Sequence, residues 1–230
     1  MISRPRDLPL ELGAVLSPIS LTATWLVLGF VSPGYDLWGV HVAPYSAISQ
    51  PISGLGLGPT GPFMNSVFVI TGLMLVTGAI GIFQQIPGLT PRVRWLATFL
   101  LSLPGVGSVI DGIFTFDHML PHLAGFLLVM ATVVGFPVAG WSLRRLPEWR
   151  ALGAGLIAAG PLTLALILLY FLTFTPTIQG IQTGVAGLTE RIAVLEIGAW
   201  YVALGWITFS KRNQSDRKPR QATNPRPTEA

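Results

Sequence analysis

Six stretches of the chain, about 13–31, 63–84, 95–116, 122–143, 151–173 and 191–209, are apolar runs of a length that decides the fold. Each is close to the roughly 20 predominantly apolar residues that a membrane-crossing helix requires. In hydrocarbon every backbone amide and carbonyl must be satisfied internally, so runs of this length are helices. The sequence therefore predicts an all-α integral membrane bundle of six transmembrane helices. Composition closes the soluble alternative. Charged residues make up 10% of the 230 and hydrophobic ones 51%, whereas ordinary soluble domains carry about 25% charged residues. The first run follows Arg4 and Arg6 and imitates a secretory signal, but it is too long and no small-x-small cleavage site follows, so a retained helix is expected. Pro18, Pro104, Pro137 and Pro161 fall inside spans and predict kinks.

Basic residues orient the bundle. Arg4, Arg6, Arg92, Arg94, Arg144, Arg145 and Arg150 lie on one side of a six-helix arrangement. Lys211, Arg212, Arg217, Lys218, Arg220 and Arg226 join them, which makes thirteen of the fourteen, and Arg191 alone is opposite. By the positive-inside rule both termini are cytoplasmic, in a multi-pass protein of the cell membrane. One domain is expected: a cytoplasmic N-terminus over 1–12, a transmembrane domain over 13–209 with a long outward loop at 32–62, and a disordered basic tail over 210–230. The net charge of +4 is thus a topology signal and not a nucleic-acid footprint. The expected partners are the lipid bilayer, anionic lipid at the tail, and a partner membrane subunit or a second copy.

The outward side carries the chemistry. The 32–62 loop has no Lys or Arg, and long loops of this kind are usually functional. Tyr35, Trp38 and Tyr45 read first as interfacial aromatics, and Ser49, Gln50, Ser53, Gly54, Gly56 and Gly58 as a folded turn region. Asn65 opens span two, where Gly72 and Gly78 permit close helix approach. Asp111 lies five or six residues inside span three, about 8 Å deep at 1.5 Å per residue, and Glu196 sits at a comparable depth in span six. A charged acid at the bilayer centre costs roughly 2.5–3.5 kcal/mol or more. Protonation, pairing with Arg191 or a histidine, or binding a cation resolves that cost; interhelical hydrogen bonding is the structural explanation. Asp36, His41, Asp117, His118, His122, Glu190 and Arg191 share this side, which holds all three histidines.

His118 and His122 stand i, i+4, a spacing that places both on one helical face. Pro121 belongs in the first turn of span four, so that His118 falls in the turn and His122 at the helix start. Neutral imidazole there is able to ligate a metal or accept a proton, with Asp111, His118 and His122 as the ligand set of a metal alternative. The sequence requires no cofactor. The absence of cysteine excludes disulfides, thiolate metal sites and cysteine nucleophiles. No lysine lies within a span to carry a retinal Schiff base, and no histidine lies deep enough for a transmembrane haem pair. SGLGLG lacks the strand, helix and lysine of a phosphate loop, and a serine nucleophile at Ser49 or Ser53 beside His118 or His122 is the weakest reading.

Tyr35-Asp36, ISQPISGLG (48–56), GPFMN (61–65), Phe68 and Gly72 resemble the first half of the domain-of-unknown-function 998 family of prokaryotic membrane proteins. GVGSVIDGIFTFD (105–117) with His122 resembles its central motif, and GLTERI (187–192) its motif at the start of a late helix. The resemblance runs over residues 13–209 and ends at the tail. It implies a polytopic membrane protein whose marked polar residues are Asp36, Ser49, Ser53, Asn65, Asp111, Asp117, His122, Glu190 and Arg191, and it supplies no reaction. The expectation that follows is an outward-facing polar pocket lined by Asp111, Glu196, Asp117 and His122 and covered by the long loop. It would bind a cation, lipid headgroup, small ligand or partner subunit, without catalysis. The alternatives are a metal-dependent membrane hydrolase acting on a lipid ester or amide, and a small proton-coupled transporter using Asp111 and Glu196.

Overall fold

A computed structural model describes residues 9–174 and 183–222, with side chains through Ser215. Six helical segments in it are long and apolar enough to cross a membrane: Leu10–Val31, Gly58–Gln85, Pro91–Ile113, Met119–Leu143, Pro147–Thr173 and Ala186–Ser215. Within them the α-helices are α1 (Gly13–Val31), α2 (Gly61–Gln85), α3 (Pro91–Ile113), α4 (Met119–Val129), α5 (Thr132–Leu143), α6 (Arg150–Thr173) and α7 (Ala186–Ala222). Side chains that would be untenable in water cover the outside, with Phe30 89% and Leu172 84% exposed. Lipid tails match such a surface, and the chain is an integral membrane protein.

The helices close into a ring in which α1 packs on α2, α2 on α3, α3 on α4 and α5, α5 on α6, and α6 on α7, which returns to α1. Small residues set the close crossings, as expected where lipid offers no hydrophobic drive. A Cβ at Gly72 would meet the Gly105 carbonyl at 2.5 Å, and one at Gly105 would meet the Gly72 carbonyl at 2.5 Å. Gly78 abuts the Ala14 backbone in the same manner. The helices differ from the sequence expectation in two places. The fourth span is broken at Met130–Ala131 into α4 and α5. The last helix also continues to Ala222, past the tail boundary expected at Ser210. The continuation beyond Ser210 is held at the bundle, where Lys211 Nζ donates to Glu148 Oε2 at 3.0 Å and Arg212 Nη1 to Glu11 Oε1 at 3.3 Å. The Glu11 contact also places the two described ends of the chain on one face, here the terminal face. Residues 1–8 and 223–230 lie outside the described residues, as does the 175–182 stretch of the α6–α7 connection.

The two halves of the bundle differ in density. Toward the terminal face, Ile82, Phe83, Leu101, Phe136, Leu143, Leu156, Tyr201 and Leu204 form a filled core. Toward the opposite, loop face a second cluster of Trp25, Tyr35, Leu37, Val42, Tyr45, Ile52, Leu55, Leu57 and Met64 is built largely from the long connection between α1 and α2. That connection begins with a hairpin, β1 (Tyr35–Leu37) against β2 (Val40–Val42), an addition to the all-α expectation. Asp36 pairs with His41 across it. Trp38 and Gly39 form its turn with φ of 49° and 80°, both positive as a two-residue hairpin turn of the common twist requires. Strand alternation sends Tyr35, Leu37 and Val42 inward and Asp36 and His41 outward.

Candidate functional site

Between the filled core and the loop-face cluster lies a cavity of about 610 Å³. Its walls come from α1, α2, α3, α4, α6 and α7, and Leu37, Trp38, Val40, Ile52 and Ser53 of the long connection cover it. The lining is predominantly apolar, which corrects the expectation of a polar pocket; the polar side chains it contains are Asp111, His122, Glu190, Tyr170 and a few hydroxyls. Such a cavity forms because α4 leans on α3 and reaches α6 through aromatic contacts, whereas α5 lies closely along α6. Phe126 of α4 spans the gap, with ring centroids 6.2 Å from Tyr170 and 5.7 Å from Phe171.

Asp111 and His122 come together on the α3–α4 wall, with side chains 11% and 12% exposed and Nδ1 3.3 Å from Oδ1. The Nδ1 proton of His122 is donated to the Phe114 carbonyl at 3.1 Å, which leaves the buried Asp111 Oδ1 without a partner in hydrogen-bond geometry. Close approach of α4 makes the pair possible. A Cβ at Gly125 would collide with Asp111 Oδ1, and one at Gly107 would lie 3.0 Å from the Val129 amide. His118 takes a different course although it is four residues from His122. It precedes α4, its side chain is 61% exposed, and its Nδ1 lies 3.1 Å from Asp117 Oδ1. The three ligands of the metal alternative are thus not brought together, and among the described residues no group of three or more acidic or imidazole side chains is placed to hold a metal.

Glu190 and Arg191 stand in the first turns of α7, which begins at Ala186, five residues before the expected start of the span. Glu190 lines the cavity and its Oε2 accepts the Ile52 amide at 2.6 Å. Arg191 turns the other way. Its Nη1 donates to the carbonyls of Ala47, Gln50 and Gly187 at 2.8, 3.0 and 2.8 Å, and its Nη2 to the Tyr45 hydroxyl at 2.5 Å. The guanidinium also lies 5.2 Å over the Trp25 ring. Burial pushes the Tyr45 hydroxyl up to about 12, against the lowering influence of Arg191. Leu188 N completes the junction by donating to the Ile48 carbonyl at 2.9 Å. The 48–56 and 187–192 motifs, distant in sequence, are therefore two sides of one joint.

The remaining candidates lie apart from the cavity or serve the fold. Glu196 bridges α6 and α7, accepting from Thr163 Oγ1 at 2.8 Å and Trp200 Nε1 at 2.7 Å; it is not among the residues lining the cavity. Asp36 is 79% exposed and pairs with His41 at 2.8 Å on the outer face of the hairpin. Asp117 accepts from the Thr115 hydroxyl, which with His118 holds its carboxyl below the usual range against the opposing effect of burial. Ser53 lines the cavity while Ser49 does not. Asn65 donates to the Gly56 carbonyl at 2.9 Å and ties the loop to α2. The aromatic wall of Trp38, Phe116, Phe126 and Tyr170 is absent from the sequence candidates, because aromatic residues near span ends are the rule in any membrane protein.

A family model described as "Protein of unknown function (DUF998)" matches residues 15–207. No curated protein and no solved structure matches the chain.

Proposed function

The chain belongs to the DUF998 family, and we propose that its role is to bind a membrane amphiphile, whose apolar body fills the loop-face cavity while its polar end meets Asp111, His122 and Glu190. The observation that carries this reading is the cavity itself. Its volume of about 610 Å³ falls in the roughly 300–1,000 Å³ range of ligand sites, which are mostly apolar with a few placed polar groups. The surroundings suit a guest that partitions into lipid, since aromatic rings of α4 and α6 that line the cavity meet there. The basic residues of the terminal face support an orientation with both termini cytoplasmic and the cavity in the outer half of the cell membrane. The basic end of α7 would then rest against anionic headgroups. Asp111 and His122, without His118, give no three-ligand centre for a metal-dependent hydrolase. Asp111 and Glu196, on different partners, form no paired relay for proton coupling.

The test is retention of lipid. Protein purified in a mild neutral detergent is expected to carry a bound amphiphile in native mass spectrometry, and Ala193→Trp, which adds a ring to the cavity wall, to lose most of it while keeping its thermal transition. Equal retention by the wild type and Ala193→Trp overturns the reading.

A further inference from the structure

We propose that the head of this amphiphile is cationic, an amine or quaternary ammonium held between Asp111 and Glu190 inside an aromatic surround. The inference rests on the amphiphile reading and adds the charge of the guest. Its first support is the charge inventory of the lining, which includes two carboxyl groups and one imidazole but no Lys or Arg. Arg191, next to Glu190 in the chain and its obvious counterion, has its terminal nitrogens engaged by the Ala47, Gln50 and Gly187 carbonyls and the Tyr45 hydroxyl. His122 gives its Nδ1 proton to Phe114, and Asp111, whose side chain lines the cavity, has its Oδ1 buried against Gly125 without a hydrogen-bond partner. Burying a carboxylate with no partner is costly, and an arriving cation removes that cost.

The second support is independent of the acids. Trp38, Phe116, Phe126, Tyr170, Phe171 and Phe174 all line the cavity. They form chains of ring contacts, with Trp38–Phe116 at 6.1 Å, Phe116–His122 at 5.4 Å and Tyr170–Phe174 at 5.8 Å. Ring faces attract cations, and aromatic surrounds are the recurrent answer to quaternary ammonium groups. An anionic head would meet two carboxyl groups and, among the described lining residues, neither Lys nor Arg. A bare divalent ion calls for about six oxygen ligands, which these rings do not provide. A long-chain ammonium satisfies the acids, the rings and the apolar depth together.

The experiment uses three amphiphiles of equal chain length, an alkyltrimethylammonium, an alkanol and an alkanoate, titrated into the full chain in lipid nanodiscs and followed by tryptophan fluorescence. The ammonium is expected to bind at least about tenfold more tightly than the alkanol, which corresponds to about 1.4 kcal/mol. Asp111→Asn and Glu190→Gln should each erase most of that advantage by lowering ammonium affinity more than alkanol affinity. Phe126→Leu, which removes no charge and keeps an apolar wall, should weaken the ammonium selectively and keeps the idea testable if an acid variant fails to fold. Equal affinity for ammonium and alkanol, or an ammonium preference indifferent to all three substitutions, overturns the cationic head and leaves the cavity reading standing. If no probe binds and Ala193→Trp changes nothing, both fail.

Discussion

A guanidinium set among backbone carbonyls keeps its charge and spends its donors on groups that otherwise lie orphaned in a low-dielectric site. Arg191 does this at the α7 joint, 4% exposed and bonded to three carbonyls and the Tyr45 hydroxyl. Its exception to the basic-residue bias is legible in the sequence, but its loop partners are not, because Ala47, Gln50 and Tyr45 lie more than 140 positions away. Hydrogen bonds to a charged group contribute about 1.5–3 kcal/mol each, and stranded carbonyls near the membrane surface regain some water, so Arg191→Ala should cost about 2–4 kcal/mol. Arg191→Lys should recover little, since an ammonium does not reproduce the planar fork. Thermal unfolding in detergent measures both, and a change in transition temperature of under a degree or two for Arg191→Ala would show the joint to be dispensable. Tyr45 makes a pH prediction. Its folded pKa of about 12 stands above the unfolded value of 10.0, so the neutral hydroxyl is favoured by the fold. The stability it contributes is complete below pH 10 and is lost as pH rises toward 12, about 2–3 kcal/mol in all. Tyr45→Phe should be about 1 kcal/mol less stable at neutral pH through its lost hydrogen bonds and should show a shallower decline between pH 10 and 12. Parallel melting curves of the two proteins across that range decide it.

At the scale of elements, the α3–α4 wall shows how glycine spacing creates a site. Gly107 and Gly125 let the helices meet closely enough for Asp111 on one to face His122 on the other. Gly125→Val would press a side chain into the Asp111 carboxyl; overpacking of this kind costs about 1–3 kcal/mol and should separate the Asp111–His122 pair. The histidine ring signals in nuclear magnetic resonance report it directly, and an unaltered His122 titration in Gly125→Val would contradict the geometry. The same elements show what a sequence reveals. Hydrophobic length exposes each span, and counting residues along a span gives an expected depth for Asp111 and Glu196. Depth does not give azimuth. At about 100° per residue, Glu190 and Glu196 on one helix differ by some 240°, and which one faces the cavity depends on how α7 is rotated against α6. The hairpin is not legible in the sequence for a different reason. Its alternation in YDL and VHV is only three residues long, and its Trp-Gly turn lacks the Asn or Asp that normally marks positive φ. Its fold is underwritten from afar by the Trp38 indole, which donates to the Asp117 carbonyl at 3.3 Å and packs on Phe116.

The whole molecule is asymmetric across its thickness, dense toward the terminal face and hollow toward the loop face, so which face meets the cytoplasm decides which leaflet would supply the proposed guest. Both described ends lie on the terminal face, joined by Arg212 and Glu11, together with the basic residues of the short connections. By the positive-inside rule that distribution supports the proposed orientation, with the terminal face inside. The absence of cysteine allows single thiols to be introduced without background. His41→Cys and Glu148→Cys suit the purpose, since their native side chains are 69% and 76% exposed at opposite faces. In intact cells a membrane-impermeant maleimide should label His41→Cys and spare Glu148→Cys, and permeabilisation should make both react. The reverse pattern would turn the bundle over and move the cavity to the cytoplasmic leaflet, leaving its lining and the choice of head unchanged but changing the pool of lipids it draws from. Labelling both sites before permeabilisation is incompatible with an odd number of crossings between them, because His41 follows one candidate span and Glu148 follows four. Orientation is thus the point at which the charge pattern of the connections and the chemistry of the cavity constrain each other: a cationic amphiphile reaching Asp111 and Glu190 from the outer leaflet requires the terminal face to be the inner one.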